Sequence, residues 1–289
     1  MRFYLLFLLC TLNLYAQDGF LPENSLSFPV GLNAQGISAR DFQEAQDELA
    51  RIWVPRARAQ GGNLRFVSSW ESSTVNAYAQ RFGHEDEWGE ELPPFDDWRV
   101  VFLGGMARHP EITRDGFSLI VCHELGHHFG GFPRLSGETA WASIEGQADY
   151  FATSKCLREL WVDEDNQKLQ SKEIPETLRQ SCLVQWKSEK EYFLCLRVGL
   201  AGLSVGRLFA DIAPFTKPPK FETPDPKVVG RTMNTHPKAQ CRLDTYLQGA
   251  LCEILHDSPF GDDEYTGACH KRNGQTLGIR PACWFKASF

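Results

Sequence analysis

The chain has 289 residues, of which 42% are hydrophobic, 23% charged and 12% aromatic. That is the composition of a globular protein long enough to bury a sizeable core. Its formal net charge is −7 and its sequence pI about 5.7, so it lacks the basic field that draws proteins to nucleic acid or anionic membrane, and no nucleic-acid partner is assigned.

The chain opens on "MRFYLLFLLCTLNLYAQ". Arg2 supplies a positive start, Phe3 to Leu12 an apolar stretch, and Ala16 a small residue for cleavage before Gln17, the pattern of a secretory signal peptide over 1–16. Lipidation at Cys10 fits less well, because Leu9 is a poor small residue before it. An uncleaved anchor is the other alternative, though the apolar run falls short of the ~20 residues that span a bilayer. No later segment reads as a span, so the mature chain is expected to be exported, periplasmic or extracellular, with no integral membrane segment. The expected organisation is one domain over 17–289 with a cysteine-containing C-terminal tail.

Residues 17–37 are rich in Pro, Asn and Gly and read as a surface loop. Ser38 then caps a helix of about twenty residues, whose apolar face is Phe42, Ala45, Leu49, Ile52 and Trp53 at spacings of three and four. "NLRFVSSW" and "WRVVFLGG" are short β-rich runs flanking "TVNAYAQR". The acidic run His84 to Asp97 lacks the spacing of a calcium loop and reads as a solvated loop beside a cleft. A helix follows from about Asp115 to Phe129, stopped by Gly130 and Gly131.

That helix carries "VCHELGHHFGG", Val121 to Gly131. Positions i and i+4 lie on one helix face about 6 Å apart, so His123 and His127 can direct both imidazoles to one cation. Glu124 is then placed to take a proton from a water at the metal. Zinc is the ion such a pair selects, and it requires a third protein ligand. His128 is rotated about 100° from His127 and is expected to meet the helix C-terminus instead. Gly126 keeps the helix slim between the two histidines, and Cys122 turns away from them as a core thiol or half of a disulfide.

The run "ETAWASIEGQADYFATSKCLRELW" is expected to be helical throughout. In it, Glu145 lies eighteen residues after His127, with Asp149 at i+4 on the same face. Glu145 completes the metal set. Asp149 can accept a hydrogen bond from a ligand histidine and fix its tautomer. Two further helices are expected over about Pro175 to Ile212, a Pro-rich irregular stretch after them, and a last helix over about Lys238 to His256.

Eight cysteines follow Cys10, and an even number in an exported chain favours disulfides, with about a hundred pairings open. Cys241 and Cys252, on one helix, would lie roughly 16 Å apart and could not bond each other. Cys269 and Cys283 are the expected pair.

The paired motifs resemble those of the gluzincin metallopeptidases. "NAYAQR", "WRVVFLGGM", "VCHELGHH", "EGQADYFA" and "THPKAQCRL" follow one another as in the HtpX and CaaX prenyl protease group, over about Asn76 to Leu243. The chain resembles a soluble, secreted relative, since it lacks that group's membrane helices. The resemblance implies a mostly helical α+β, zincin-like domain with a small sheet on the HExxH helix. It further implies a metalloendopeptidase holding one Zn2+ and acting on peptides or unfolded proteins, with Glu124 as general base. By the same resemblance Asn76 and Ala77 lie on an edge strand that holds extended substrate. His236, matching the group's His-Pro segment with Arg242 six residues on, would be an oxyanion donor or an occupant of the metal's open position. The alternatives are a non-hydrolytic chaperone or adaptor of the cell envelope and a structural zinc site closed by His236. His84, His109, His256 and His270 read as surface residues.

Overall fold

The computed structural model describes residues 19–31, 35–85, 91–171, 173–212 and 217–288. The expected leader lies outside them. Ser38 opens α1 (Ala39–Ala59), and its hydroxyl and the Asp41 carboxylate cap each other's backbone N–H groups, which satisfies donors the first turn leaves orphaned. The expected apolar face is buried, apart from the partly exposed Ile52.

Three strands follow, β1 (Asn63–Ser69), β2 (Ala77–Glu85) and β3 (Glu91–Leu103), in the order β1-β3-β2. β3 runs parallel to β1 and antiparallel to β2, with Leu64 opposite Trp98 and Ala77 opposite Phe102. β2 is therefore an edge strand. The described residues of the expected acidic loop are strand, since His84 and Glu85 belong to β2 and Glu91 to Asp97 to β3. Alternation there sets Asp97 against Arg65 and Arg99 while Trp98 and Val100 enter the core.

A short α2 (Gly104–Arg108) leads to α3 (Arg114–Phe129), the helix bearing both histidines. Thr113 caps it through the N–H of Gly116, and Gly131 after it takes φ +67°, a conformation that glycine adopts without penalty. α3 lies between the sheet and the later helices: Phe117 packs on Phe102 and Phe42, Phe129 on Trp53 and Trp98. Every residue from Gly116 to His128 is buried. A helix buried all round needs a partner for each polar side chain.

The next helix starts later than its sequence suggests. Gly137–Thr139 form a 3-10 turn, and Ser143 bridges Arg134, so α4 begins at Glu145 (Glu145–Phe151). It passes through a π-helical turn at Ala152–Cys156 into α5 (Leu157–Trp161). α6 (Glu176–Gln185) and α7 (Glu189–Ile212) lie where expected. α7 corrects one expectation: it is long and apolar enough to cross a membrane, yet 78% of that stretch is buried inside the protein, as a core helix is. α8 (Ala239–Ala250) is shorter than expected because the chain turns at Leu251 and Cys252 to join a disulfide-held tail.

Four disulfides join Cys122 to Cys156, Cys182 to Cys195, Cys241 to Cys283 and Cys252 to Cys269. The expected Cys269–Cys283 bond is absent because each of these residues ties the tail back to the α8 region, clamping it over a second small core around Tyr150 and Trp284. Cys122–Cys156 pins α3 to the segment that continues α4. The fold is α+β, and its disulfides suit an oxidising, exported compartment.

Gly126 sets the approach of α3 to α4. A Cβ there would lie 2.8 Å from the Ala148 Cα and carbonyl oxygen. We expect Gly126→Ala to lose stability despite alanine's helix preference of about 1 kcal/mol, because overpacking against backbone costs about 1–3 kcal/mol. Thermal unfolding should show a lower Tm, and chelator competition a weaker metal site, since Ala148 lies between Glu145 and Asp149.

Candidate metal centre

Glu145 is the first residue of α4, so its carboxylate enters the core beside α3. The ring Nε2 atoms of His123 and His127 face each other at 3.0 Å. Glu145 Oε2 lies 3.4 Å from the first and Oε1 3.6 Å from the second. The three side chains form a group able to hold a metal ion, with donor atoms within 4.8 Å of one another. Bonds of about 2.0–2.2 Å in a tetrahedral site put neighbouring donors roughly 3.3–3.6 Å apart, so the set closes on one cation with little adjustment.

The far side of each ring fixes its tautomer. His123 Nδ1 lies 2.8 Å from Asp149 Oδ1, and His127 Nδ1 2.8 Å from the Ser143 carbonyl. Both oxygens only accept, so each Nδ1 carries its hydrogen and each Nε2 presents a lone pair. Two lone pairs at 3.0 Å repel unless a proton or a metal cation sits between them.

Arg242 and Tyr246, on α8, complete the surround. Arg242 is fully buried and donates to Asp149 Oδ1 at 2.6 Å, and lies 3.5 Å from Glu145 Oε2. The Tyr246 hydroxyl donates to Asp149 Oδ1 at 3.0 Å. Sequence reasoning mentioned Arg242 only as a companion of His236 and missed Tyr246 and Ser143. The i+4 spacing of Arg242 and Tyr246 was a usable signal. A backbone carbonyl such as that of Ser143 leaves none.

Electrostatics divide the site. Burial opposes a charged His123, but the Asp149 and Glu145 carboxylates outweigh it and raise that ring to about 9. Burial pushes His127, whose Nδ1 meets only a neutral carbonyl, down to about 4. Burial also works against a charged Glu145, but His123 and His127 hold it far below the usual carboxylate range. Glu124 is pushed up to about 8 by burial; its Oε1 is buried without a hydrogen-bond partner among the described residues.

Comparison with known protein families, curated proteins and solved structures finds no match.

The other expected site residues are placed as follows. His236 approaches the same carboxylate, its Nε2 3.4 Å from Glu145 Oε2, and hydrogen-bonds the Gly19 carbonyl at 2.8 Å. Ala77 opens β2 and Asn76 directly precedes it, but the Ala77 carbonyl is taken by the Phe20 N–H and the Asn76 side-chain amide by the Leu21 backbone. His128 lies outside the metal group; instead of the helix end it contacts Arg81, the Arg99 carbonyl and the faces of Trp98 and Trp141. Stacking between two indoles is a better berth for that ring than an exposed helix end. His109 and His270 are buried rather than on the surface, because each accepts from a backbone N–H in its own turn. His256 is half-buried beside Glu159, and the His84 side chain lies outside the described residues.

The three carboxylates Glu124, Glu145 and Asp149 are balanced by Arg242 and one dication, or, without metal, by Arg242 with protons on His123 and Glu124. At pH 7 both groups lie below their raised values of about 9 and about 8 and hold those protons. We expect metal binding at pH 7 to release about two protons per ion and affinity to rise with pH, steeply below about 8 and hardly at all above about 9. Calorimetry in buffers of different ionisation heat measures the count. Release of fewer than one proton at pH 7 would contradict this charge balance.

Proposed function

We propose that the chain is a zinc-dependent endopeptidase, zincin-like in build, which hydrolyses peptide bonds in peptides or unfolded proteins outside the cytosol. One observation carries the reading: Glu124 is buried beside the metal group with an unpartnered oxygen, although the two histidines and Glu145 supply the protein ligands. A purely structural metal does not need such a base. The two-histidine, one-carboxylate set on an HExxH helix is the donor set of catalytic zinc sites.

Bound metal would supply Lewis acidity to polarise the scissile carbonyl and acidify a water. Glu124 accepts that water's proton as its oxygen forms a bond to the carbonyl carbon. As the carbon–nitrogen bond breaks, Glu124 returns the proton to the leaving amine. Burial raises its carboxyl above the usual range in the metal-free site, and a dication beside it would favour the ionised form that accepts the proton. Asp149, held by Arg242 and Tyr246, fixes the His123 ring so that Nε2 faces inward. His236, with an N–H donor near Glu145, is placed to hold a peptide carbonyl.

The rival function, a zinc-binding chaperone or adaptor, shares the ligands and dispenses with the base. Glu124→Gln divides the two. It keeps shape and should leave zinc content unchanged, while turnover on casein should fall about 10²–10⁴-fold, toward the upper end because one group serves both proton transfers. Initial rates and metal analysis on the same samples measure it. Equal rates in both proteins would assign the activity elsewhere; zinc-loaded protein that cleaves nothing would favour the binding protein.

A further inference from the structure

Most of the stretch expected to wrap the surface does so, with Pro22, Glu23, Ser25 and Pro29 to Gly31 exposed, but its start does not. Phe20 and Leu21 are 0% and 1% exposed, and they lie against the metal group. Phe20 meets the His123 ring edge-on at 4.8 Å between centroids, with Phe209 at 5.2 Å on another side and the Arg242 guanidinium 4.7 Å from its ring centre. The Phe20 N–H donates to the Ala77 carbonyl at 2.9 Å, Leu21 N–H to Asn76 Oδ1 at 3.0 Å, and Asn76 Nδ2 to the Leu21 carbonyl at 3.2 Å. Further along, Ser27 bridges Thr74 in antiparallel sense and Phe28 N–H donates to the Ser73 carbonyl. The segment thus runs antiparallel to residues 73–77, meeting β2 at its first residue, Ala77. The carbonyls of Gly19 and Phe20 are taken by His236 at 2.8 Å and Arg242 at 3.3 Å.

These contacts are those of an extended peptide held at its backbone by one strand residue and by the side chains of Asn76, His236 and Arg242, with a pocket for one side chain. The site is meanwhile shut. His123, Glu124, His127 and Glu145 are each at most 3% exposed, so no peptide reaches them without displacing something. Gly19 to Leu21 have no helix or strand of their own, and they touch His123, His236 and Arg242 together.

We propose that Gly19–Phe20–Leu21 is a built-in occupant of the substrate cleft, a strap that keeps the site closed and marks what the cleft accepts. This rests on the peptidase reading for its substrate. The preferred substrate is an extended chain with a residue lacking a bulky side chain at the Gly19 position, where a Cβ would fall 2.6 Å from the Asn76 amide. A large apolar or aromatic residue follows, in the pocket between His123 and Phe209. Displacing the strap opens the site.

The test uses the full chain loaded with zinc. Gly19→Val forces the strap from Asn76. Zinc extraction by a chelator should become about tenfold faster or more, and casein cleavage should rise by a similar factor, as the open fraction increases. The synthetic peptide acetyl-Gly-Phe-Leu-Pro-Glu-Asn, added to Gly19→Val, should slow both again. Unchanged extraction in a folded Gly19→Val protein overturns the strap. Faster extraction with no cleavage by wild type or variant upholds the cover but rejects the peptidase reading. Should Gly19→Val fail to fold, Phe20→Ala keeps the backbone pairing and empties the pocket, with the same expected increases. If neither variant folds, the segment is core wall rather than strap and the proposal fails.

Discussion

The hydrogen-bonded ion pair between Asp149 and Arg242, buried beside His123, is the interaction on which the rest depends. A carboxylate and a guanidinium with no exposed surface are costly to bury, and removing one of a buried pair commonly costs about 3–5 kcal/mol because the other is left uncompensated. Here the pair is further tied to Tyr246 and His123. It joins three helices, α3, α4 and α8, at one point. It also orients the metal-facing nitrogen of His123, so the contact that holds these helices together also prepares the site.

The second constraint is that α3 is wrapped on every side while carrying His123, Glu124, His127 and His128. Such a helix is tolerated because each ring has a specific partner: Asp149, Ser143, or the two tryptophans. Glu124 is the exception, with one carboxylate oxygen lacking a partner among the described residues. An unpaired buried polar atom typically costs about 1–3 kcal/mol. The Glu124 oxygen lies beside the donor triangle, where Asp149 Oδ2 also lacks a partner among the described residues.

The sequence made the ligand set legible because helical periodicity is strong there: two histidines at i+4, and a carboxylate pair at i+4 on a second helix. Caps and breakers were legible for the same local reason, as Ser38 and the Gly130-Gly131 stop show. Long-range pairing was not. Nothing local says that Cys269 meets Cys252 and not Cys283, that His128 lies between Trp98 and Trp141, or that Phe20 enters the core some hundred residues away in sequence from His123. Composition even misled at Phe20, because a stretch rich in Pro and Asn resembles a surface loop until its edge-strand partner is known. The late start of α4 was hidden likewise, since Ser143 gives up helical geometry to bridge Arg134 and present its carbonyl to His127.

Charge balance bears on how such a protein can fold before it carries metal. Small zinc domains draw their folding energy from the ion. On the charge balance expected above, the metal-free site would be neutral, with protons on His123 and Glu124 where the dication would act. The four disulfides each contribute typically about 2–4 kcal/mol, and one of them, Cys122–Cys156, fastens the helix of the histidines to the segment following Glu145 and Asp149. The geometry of the site is thus held by covalent bonds and the Asp149–Arg242 pair. Metal entering such a preformed site would displace protons instead of ordering a chain. The strap across the cleft suits the same order of events, since a site assembled before loading can be closed by a segment that neither the ligands nor the disulfides need.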